Sequence, residues 1–140
     1  IVNPRETLSQ IGKGITLTNS FLSTPQGRIE LGSLADSEVV SITPQNDGFT
    51  LGYGATEQFA DISLNKISID DVSGEGAGNI HLKGRAINIL DDSYLAADTL
   101  GAQDGGTISI TASESVNFFD TDPSNSFFTN GILFTKAPLK

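Results

Sequence analysis

Acidic pairs are the residues of this sequence that could do chemistry. Asp70-Asp71, Asp91-Asp92 and Asp120/Asp122 each follow a short apolar strand motif. Two carboxylates held together can share general acid and base work on a polysaccharide, or bind Ca²⁺ through oxygen ligands. Asp70, Asp71, Asp91 and Asp92 are the candidate Ca²⁺ ligands on that argument. Two considerations weigh against a site. Neighbours in one strand point to opposite faces, so an Asp-Asp pair does not converge by itself. Asp is also favoured at chain corners, where it makes Asx turns. The nearby cations, Lys66 and Arg85, sit in the preceding corners. The expectation is therefore no catalytic residue, no metal site and no cofactor.

The other motifs read the same way. His81 is the sole histidine, and the alternation Ile80-His81-Leu82 sends it to an outer, solvated face. Gly74-x-Gly76-x-Gly78 suggests a phosphate loop, but no helix follows it and no Lys-Ser/Thr closes it. These glycines are expected at corners with positive φ, and Gly27, Gly48, Gly105 and Gly106 are further corner glycines. Tyr53, between Gly52 and Gly54, is a candidate exposed contact residue. The Gly-Gly-x-Gly-x-Asp nonapeptide of calcium-binding β-helices is absent. Phe118-Phe119 and Phe127-Phe128 are adjacent pairs, expected to lie under a folded-over loop rather than on a contact surface.

The elements that must position these residues are short strands. Apolar-polar-apolar units recur along the chain: Ile15-Thr16-Leu17, Ile29-Glu30-Leu31, Ile62-Ser63-Leu64, Ile67-Ser68-Ile69, Ile80-His81-Leu82, Ile87-Asn88-Ile89 and Ile108-Ser109-Ile110. Period-two alternation marks strands with one buried face. No stretch sustains a period of 3.6, so helix should be scarce, although residues 6–10 after Pro4 could form one helical turn. Two-residue hairpin loops are not evident; Asp47-Gly48 and Asp104-Gly105 each lie inside a longer turn.

The units repeat. The glycine turn and strand ending at Leu82 return 28 residues later, ending at Ile110, while Ala86-Ile87-Asn88-Ile89 returns 29 residues later as Ser115-Val116-Asn117-Phe118. Ile87 matches Ile62, Leu95 matches Ile69, and Gly78 matches Gly48, which in turn matches Gly27. An irregular period of about 20–30 residues suits a solenoid coil of three short strands and three corners. The predicted class is an all-β parallel β-helix of about five coils. Residues 1–140 form a single segment: 1–13 a weakly patterned lead-in, 14–120 the coils, and 121–140 a loop plus a further coil or cap.

Composition limits the partners. The net charge of −9, with 8 Lys plus Arg in 140 residues, argues against nucleic acid and anionic membranes. No apolar run reaches the ~20 residues that span a bilayer, so no membrane insertion is expected. With no cysteine, disulfides, Cys-based metal sites and thiol catalysis are excluded. No signal peptide opens the sequence; Ile1-Val2-Asn3-Pro4 suggests a mature product or a piece of a longer chain.

An ordered set of motifs resembles filamentous haemagglutinin-like exoproteins, especially the large cyanobacterial ones. It includes Gly27-Arg28-Ile29-Glu30-Leu31-Gly32-Ser33, Val40-Ser41-Ile42-Thr43-Pro44, Gly48-Phe49-Thr50-Leu51-Gly52-Tyr53 and Phe59-Ala60-Asp61-Ile62-Ser63-Leu64. It continues through Ser73-Gly74-Glu75-Gly76-Ala77-Gly78-Asn79-Ile80 and Gly84-Arg85 to Leu100–Ile110 and Ala112–Val116. The resemblance implies a right-handed β-helix, secreted through a partner outer-membrane β-barrel and exposed at the cell surface of a Gram-negative bacterium. It implies a non-catalytic shaft with a role in adhesion or aggregation. The expected partners are neighbouring segments of the same chain, the transporter during secretion, and surface glycans or other cells. The family's secretion domain carries Asn-Pro motifs; Asn3-Pro4 stands alone here, which places the piece beyond that domain. The alternatives are a β-helix polysaccharide-active enzyme (lyase or hydrolase) and a carbohydrate-binding β module.

Overall fold

The computed structural model describes residues 1–35, 39–46, 48–54, 58–66 and 68–119, together with the backbone of Ile132–Lys136. Asp120, Asp122, Phe127 and Phe128 lie outside the described residues. Every regular element among the described residues is a β-strand. In chain order they are β1 (Thr7–Gly12), β2 (Ile15–Thr18), β3 (Phe21–Ser23), β4 (Arg28–Ser33), β5 (Ser41–Gln45), β6 (Gly48–Gly52), β7 (Ile62–Asn65), β8 (Ile69–Asp71), β9 (Asn79–Leu90), β10 (Tyr94–Ala96), β11 (Ile108–Phe119) and β12 (Ile132–Lys136).

Ten of these strands pair in parallel, in three ladders. The first runs β1-β4-β9-β11-β12, through the opening halves of β9 and β11. The second runs β2-β7-β9-β11, through their closing halves. The third is β3-β8-β10. Successive passes of the chain thus lay like on like: Ile29 beside Ile80 beside Ile108, and Ile62 beside Ile87 beside Val116. Parallel neighbours about 4.8 Å apart keep such columns in contact.

One apolar core draws on all three ladders. Ile29, Leu31, Ile62, Leu64, Val72, Ile80, Ile87 and Ile108 are wholly or almost wholly removed from solvent and pack in one cluster with Leu17, Leu95 and Ala97. Each fully buried Ile or Leu contributes about 1.5–3 kcal/mol. The outward positions carry polar columns instead. Asn117 donates to Asn88 Oδ1 (2.8 Å), Asn88 reaches Ser63 Oγ (3.4 Å), and Thr18 donates to Asn65 Oδ1 (2.8 Å).

Four expectations are corrected. Residues 6–10 form no helical turn; β1 occupies Thr7–Gly12, because alternation lets Leu8 lie beside Ile29 in the first ladder. Gly48–Gly52 is not one of the stacked repeats. It pairs antiparallel with β5, with Gln45 opposite Gly48, so only two residues separate the strands of a hairpin inserted between β4 and β7. Gly27 therefore matches Gly78 directly, and the inserted hairpin explains the irregular period.

The third correction concerns glycine. Gly74, Gly76 and Gly78 do not have the expected positive φ, and of the corner glycines only Gly48 has it (93°); the corners instead use Asn19, Gln26, Lys66, Asp91 and Asp92. Gly27, Gly78 and Gly106 are stacked, and a Cβ on Gly78 would lie 2.7 Å from the Gly27 nitrogen. Close approach of backbones, not turn geometry, requires glycine there.

The fourth is a register. Leu95 lies beside Asp70, not Ile69, because Tyr94 pairs with Ile69. The motif Ile67-Ser68-Ile69 has the opposite parity from that expected. Ser68, Asp70 and Val72 are buried, and Ile69 is half-exposed.

Candidate functional site

The richest group of chemically capable side chains lies outside the first ladder, under the inserted hairpin. Alternation in β4 turns Ile29 and Leu31 inward and Arg28 and Glu30 outward, and the register places Glu30 beside His81. Arg28 Nη1 donates to Glu30 Oε1 (3.2 Å) and to His81 Nε2 (3.1 Å). A guanidinium has donors only, so Nε2 accepts and the neutral ring carries its proton on Nδ1.

The hairpin covers this group. Thr7 Oγ1 accepts from Phe49 N (3.1 Å) and lies 3.3 Å from Phe49 O as donor, tying β6 to β1. Tyr53, just past β6, lies across Gly32 and meets Phe59 edge-on at 6.1 Å between ring centroids. Lys83, beside Gly32 in the ladder, holds its ammonium 5.0 Å from the Tyr53 ring and 5.3 Å from the Phe59 ring. Both are cation–π distances.

Burial tunes the group. Glu30 is 4 % exposed, and loss of water raises its pKa despite the hydrogen bond and charge of Arg28. The Tyr53 phenol is pushed up to about 12, by burial first and then by the Glu30 charge. His81 is held below its ordinary value by burial and by Arg28. The result is a neutral imidazole, a resistant phenol and a salt-bridged carboxylate, packed together. That arrangement clamps the hairpin to the ladder. Tyr53 is thus half-buried packing rather than an exposed contact, and His81 is outward-facing but hydrogen-bonded under cover rather than freely solvated.

A second group sits at the corner between the first and second ladders. Arg85 meets Asp61 with two parallel bonds (Nε to Oδ1 2.9 Å, Nη2 to Oδ2 2.8 Å), and its Nη1 reaches Glu114 Oε2 at 3.1 Å. Glu114 gets there through a bulge: between Ala112 and Ser115 the register of β11 shifts by one residue against Gly84 and Ala86. That bulge is why the repeat offset changes from 28 to 29. Arg85 holds Asp61 below its usual pKa. Each side chain in this group is well exposed, so it braces three successive passes at modest gain.

The acidic pairs are not brought together. Asp70 is fully buried between Leu22 and Leu95, and neither carboxylate oxygen has a partner among the described residues. Asp71 points away from it and accepts from Ser73 N (2.8 Å), an Asx turn. Asp91 and Asp92 form the turn between β9 and β10, both with positive φ (52° and 60°). Among the described residues no three or more His, Cys, Asp or Glu side chains gather as a metal site. An open groove of about 610 Å³ is lined by Ile1, Val2, Asn3, Pro4 and Pro25 among others, and none of the Arg28 group contributes to it.

The Arg28–Glu30–His81 group was accessible from the sequence in part. Alternation identifies Arg28 and Glu30 as outward, but pairing them with His81 requires skipping the hairpin. Compared with protein-family models, with curated proteins and with solved structures, the chain has no match in any of the three.

Proposed function

We propose that the chain is a non-catalytic shaft segment of a large secreted surface protein, built as a right-handed parallel β-helix of about five coils. The three ladders are its faces and the inserted hairpin is a loop enlarged at one corner. A stack of this height, roughly 25 Å on the strand spacing, holds more distant parts away from the cell. Its place is the surface of a Gram-negative bacterium, reached through an outer-membrane partner transporter. Its role is adhesion or aggregation through lateral contacts with glycans or other cells.

The observation that supports this best is the in-register stacking of three parallel ladders around one core, with most of the candidate carboxylates serving structure. Asp61 and Glu114 brace a corner, Asp71, Asp91 and Asp92 make turns, and Glu30 secures a hairpin. Small-angle scattering tests the shape and a bead-adhesion assay tests the role. An elongated prism and beads that cluster or bind cells support the reading. A compact envelope with inert beads overturns it.

A second reading, a polysaccharide-active enzyme, is favoured by one observation: Arg28, Glu30, His81, Tyr53 and Lys83 share one outer face. Incubation with acidic polysaccharides, read as new reducing ends or unsaturated products, separates the two. Turnover lost in Glu30→Gln would replace the shaft reading.

A further inference from the structure

Asp70 is the group that no part of the fold uses. It occupies an inward position of the third ladder, in line with Leu22 of β3 and Leu95 of β10. It is 0 % exposed, and among the described residues both carboxylate oxygens lack a hydrogen-bond partner. An ionised carboxylate in that position has neither water nor a countercharge, whereas a protonated one is a small polar side chain among leucines.

Among the described residues, no charge on the surrounding elements answers it. β3 carries no titratable residue, and on β10 Tyr94 is exposed. On β8 itself, Asp71 faces away toward Ser73 N. In the corners that flank β8 and β10, Lys66 and Asp92 are exposed and Asp91 and Asp98 are half-buried. The core cluster that the first and second ladders contribute is apolar, with Leu31, Leu82, Leu17, Leu64 and Ile87 among its members.

We propose that Asp70 is a proton-gated position: with its carboxyl protonated, β3, β8 and β10 stack closed, and when it releases that proton to solvent the third ladder opens ahead of the other two. Burial alone pushes its pKa up to about 7, from 3.8 when exposed. The sign follows. The folded value lies above the unfolded one, so the stabilising contribution is complete below about pH 4 and is lost as pH rises to about 7. The surface would thus be stiffer in mild acid than in neutral or alkaline surroundings. The proposal rests on the ladder geometry and stands whether or not the chain is an adhesive shaft.

The test compares the protein with Asp70→Asn by urea unfolding between pH 4 and pH 8, with amide exchange read in each ladder. The parent's unfolding constant should rise relative to the variant's by up to about tenfold per pH unit through that window, then level off. Exchange at Leu95 and Asp71 should quicken with pH, beyond the intrinsic effect, before exchange at Ile80 and Leu82. A constant difference across the range, or ladders that open together, overturns the proposal. Asp70→Leu, which matches Leu22 and Leu95, is the second variant should Asn fold poorly. It should be more stable than the parent at pH 8 and show the same flattened profile. Infrared spectra at pH 6 give an independent reading: a protonated-carboxyl stretch should be present in the parent and missing in both variants, and its absence from the parent is also disproof.

Discussion

The Tyr53 ring occupies the space that any Cβ at position 32 would need. Built onto Gly32, that carbon would lie 2.8 Å from Tyr53 Cε1. A glycine within β4 gives up strand propensity and side-chain packing. Here it is the seat on which the inserted hairpin rests, beside the half-buried Arg28–Glu30–His81 group.

Gly32→Ala should therefore displace the tyrosine rather than the ladder. The expected cost is about 1–3 kcal/mol, the usual range for overpacking. The clearer signal is the phenol. Burial and Glu30 push Tyr53 up to about 12, above its unfolded value near 10. Its contribution to stability is thus present below about pH 10 and lost as pH rises toward 12. In a Tyr94→Phe background, where Tyr53 is the remaining tyrosine, ultraviolet titration should show phenolate forming at lower pH in Gly32→Ala than in its parent. An unchanged titration would mean that Tyr53 does not depend on its seat.

Gly78 and Gly105 belong to neighbouring glycine turns but should respond in opposite ways. A Cβ on Gly78 would meet the Gly27 backbone, with the carbonyl carbon 2.8 Å away, and a backbone cannot rotate aside. A Cβ on Gly105 would meet only Thr99 Oγ1, at 3.3 Å. Gly78→Ala should cost about 3 kcal/mol or more, and Gly105→Ala should stay within about 0.5 kcal/mol. Chemical denaturation of the two variants beside the parent checks both. Equal effects would indicate that glycine serves turn conformation at the two positions alike.

The contrast also marks how far the sequence could be read. Period-two alternation located the core, because Ile80 and Leu82 or Ile87 and Ile89 leave little choice of inward face. Offsets of 28 and 29 found real neighbours, and the step between them was a bulge. What alternation could not settle was register in the third ladder. Its strands are three residues long, and Asp70 and Ile69 compete for the inward side. Matching Leu95 to Ile69 is one residue out, and one residue exchanges the faces of a strand. That slip assigned a buried acid to a corner. The Arg28–Glu30–His81 contact was hidden differently. A hairpin stands between its two strands in sequence, and Phe49-Thr50-Leu51 alternates as a stacked strand does.

His81 should report on that covered group directly, since the protein has no other histidine to obscure its ring resonances. Burial, then the Arg28 charge, lowers its pKa below 6.5. The sign is that of a depressed base: the neutral ring contributes stability above about pH 6.5, and the contribution is lost as pH falls through the folded value. Arg28→Gln should move the titration upward, because it removes a like charge while burial remains. His81→Gln should remove the corresponding loss of stability in acid. Glu30, raised from 4.5, contributes in the opposite sense from that pH upward, so the comparison between parent and His81→Gln isolates the histidine. A titration in Arg28→Gln identical to the parent's would show that Nε2 has no guanidinium beside it.

Arg85 joins residues from three successive passes, yet replacing it should be mild. Its partners Asp61 and Glu114 are 42 % and 58 % exposed at their side chains, so water and salt already screen both bonds. Exposed pairs contribute little, and the bidentate geometry to Asp61 makes this one stronger than most. Arg85→Gln should thus cost little at low salt and less still at 1 M salt, where the screening length is about 3 Å. Asp61 should titrate closer to its ordinary value once the guanidinium is gone. Asp61→Ala should cost more than Arg85→Gln, because Asp61 Oδ1 also accepts from Ala86 N at 3.2 Å. That bond ties the second pass to the third at the bend of β9. If Arg85→Gln were the costlier of the two, the corner would be held by charge rather than by the backbone bond, and its stability would then fall steeply with salt.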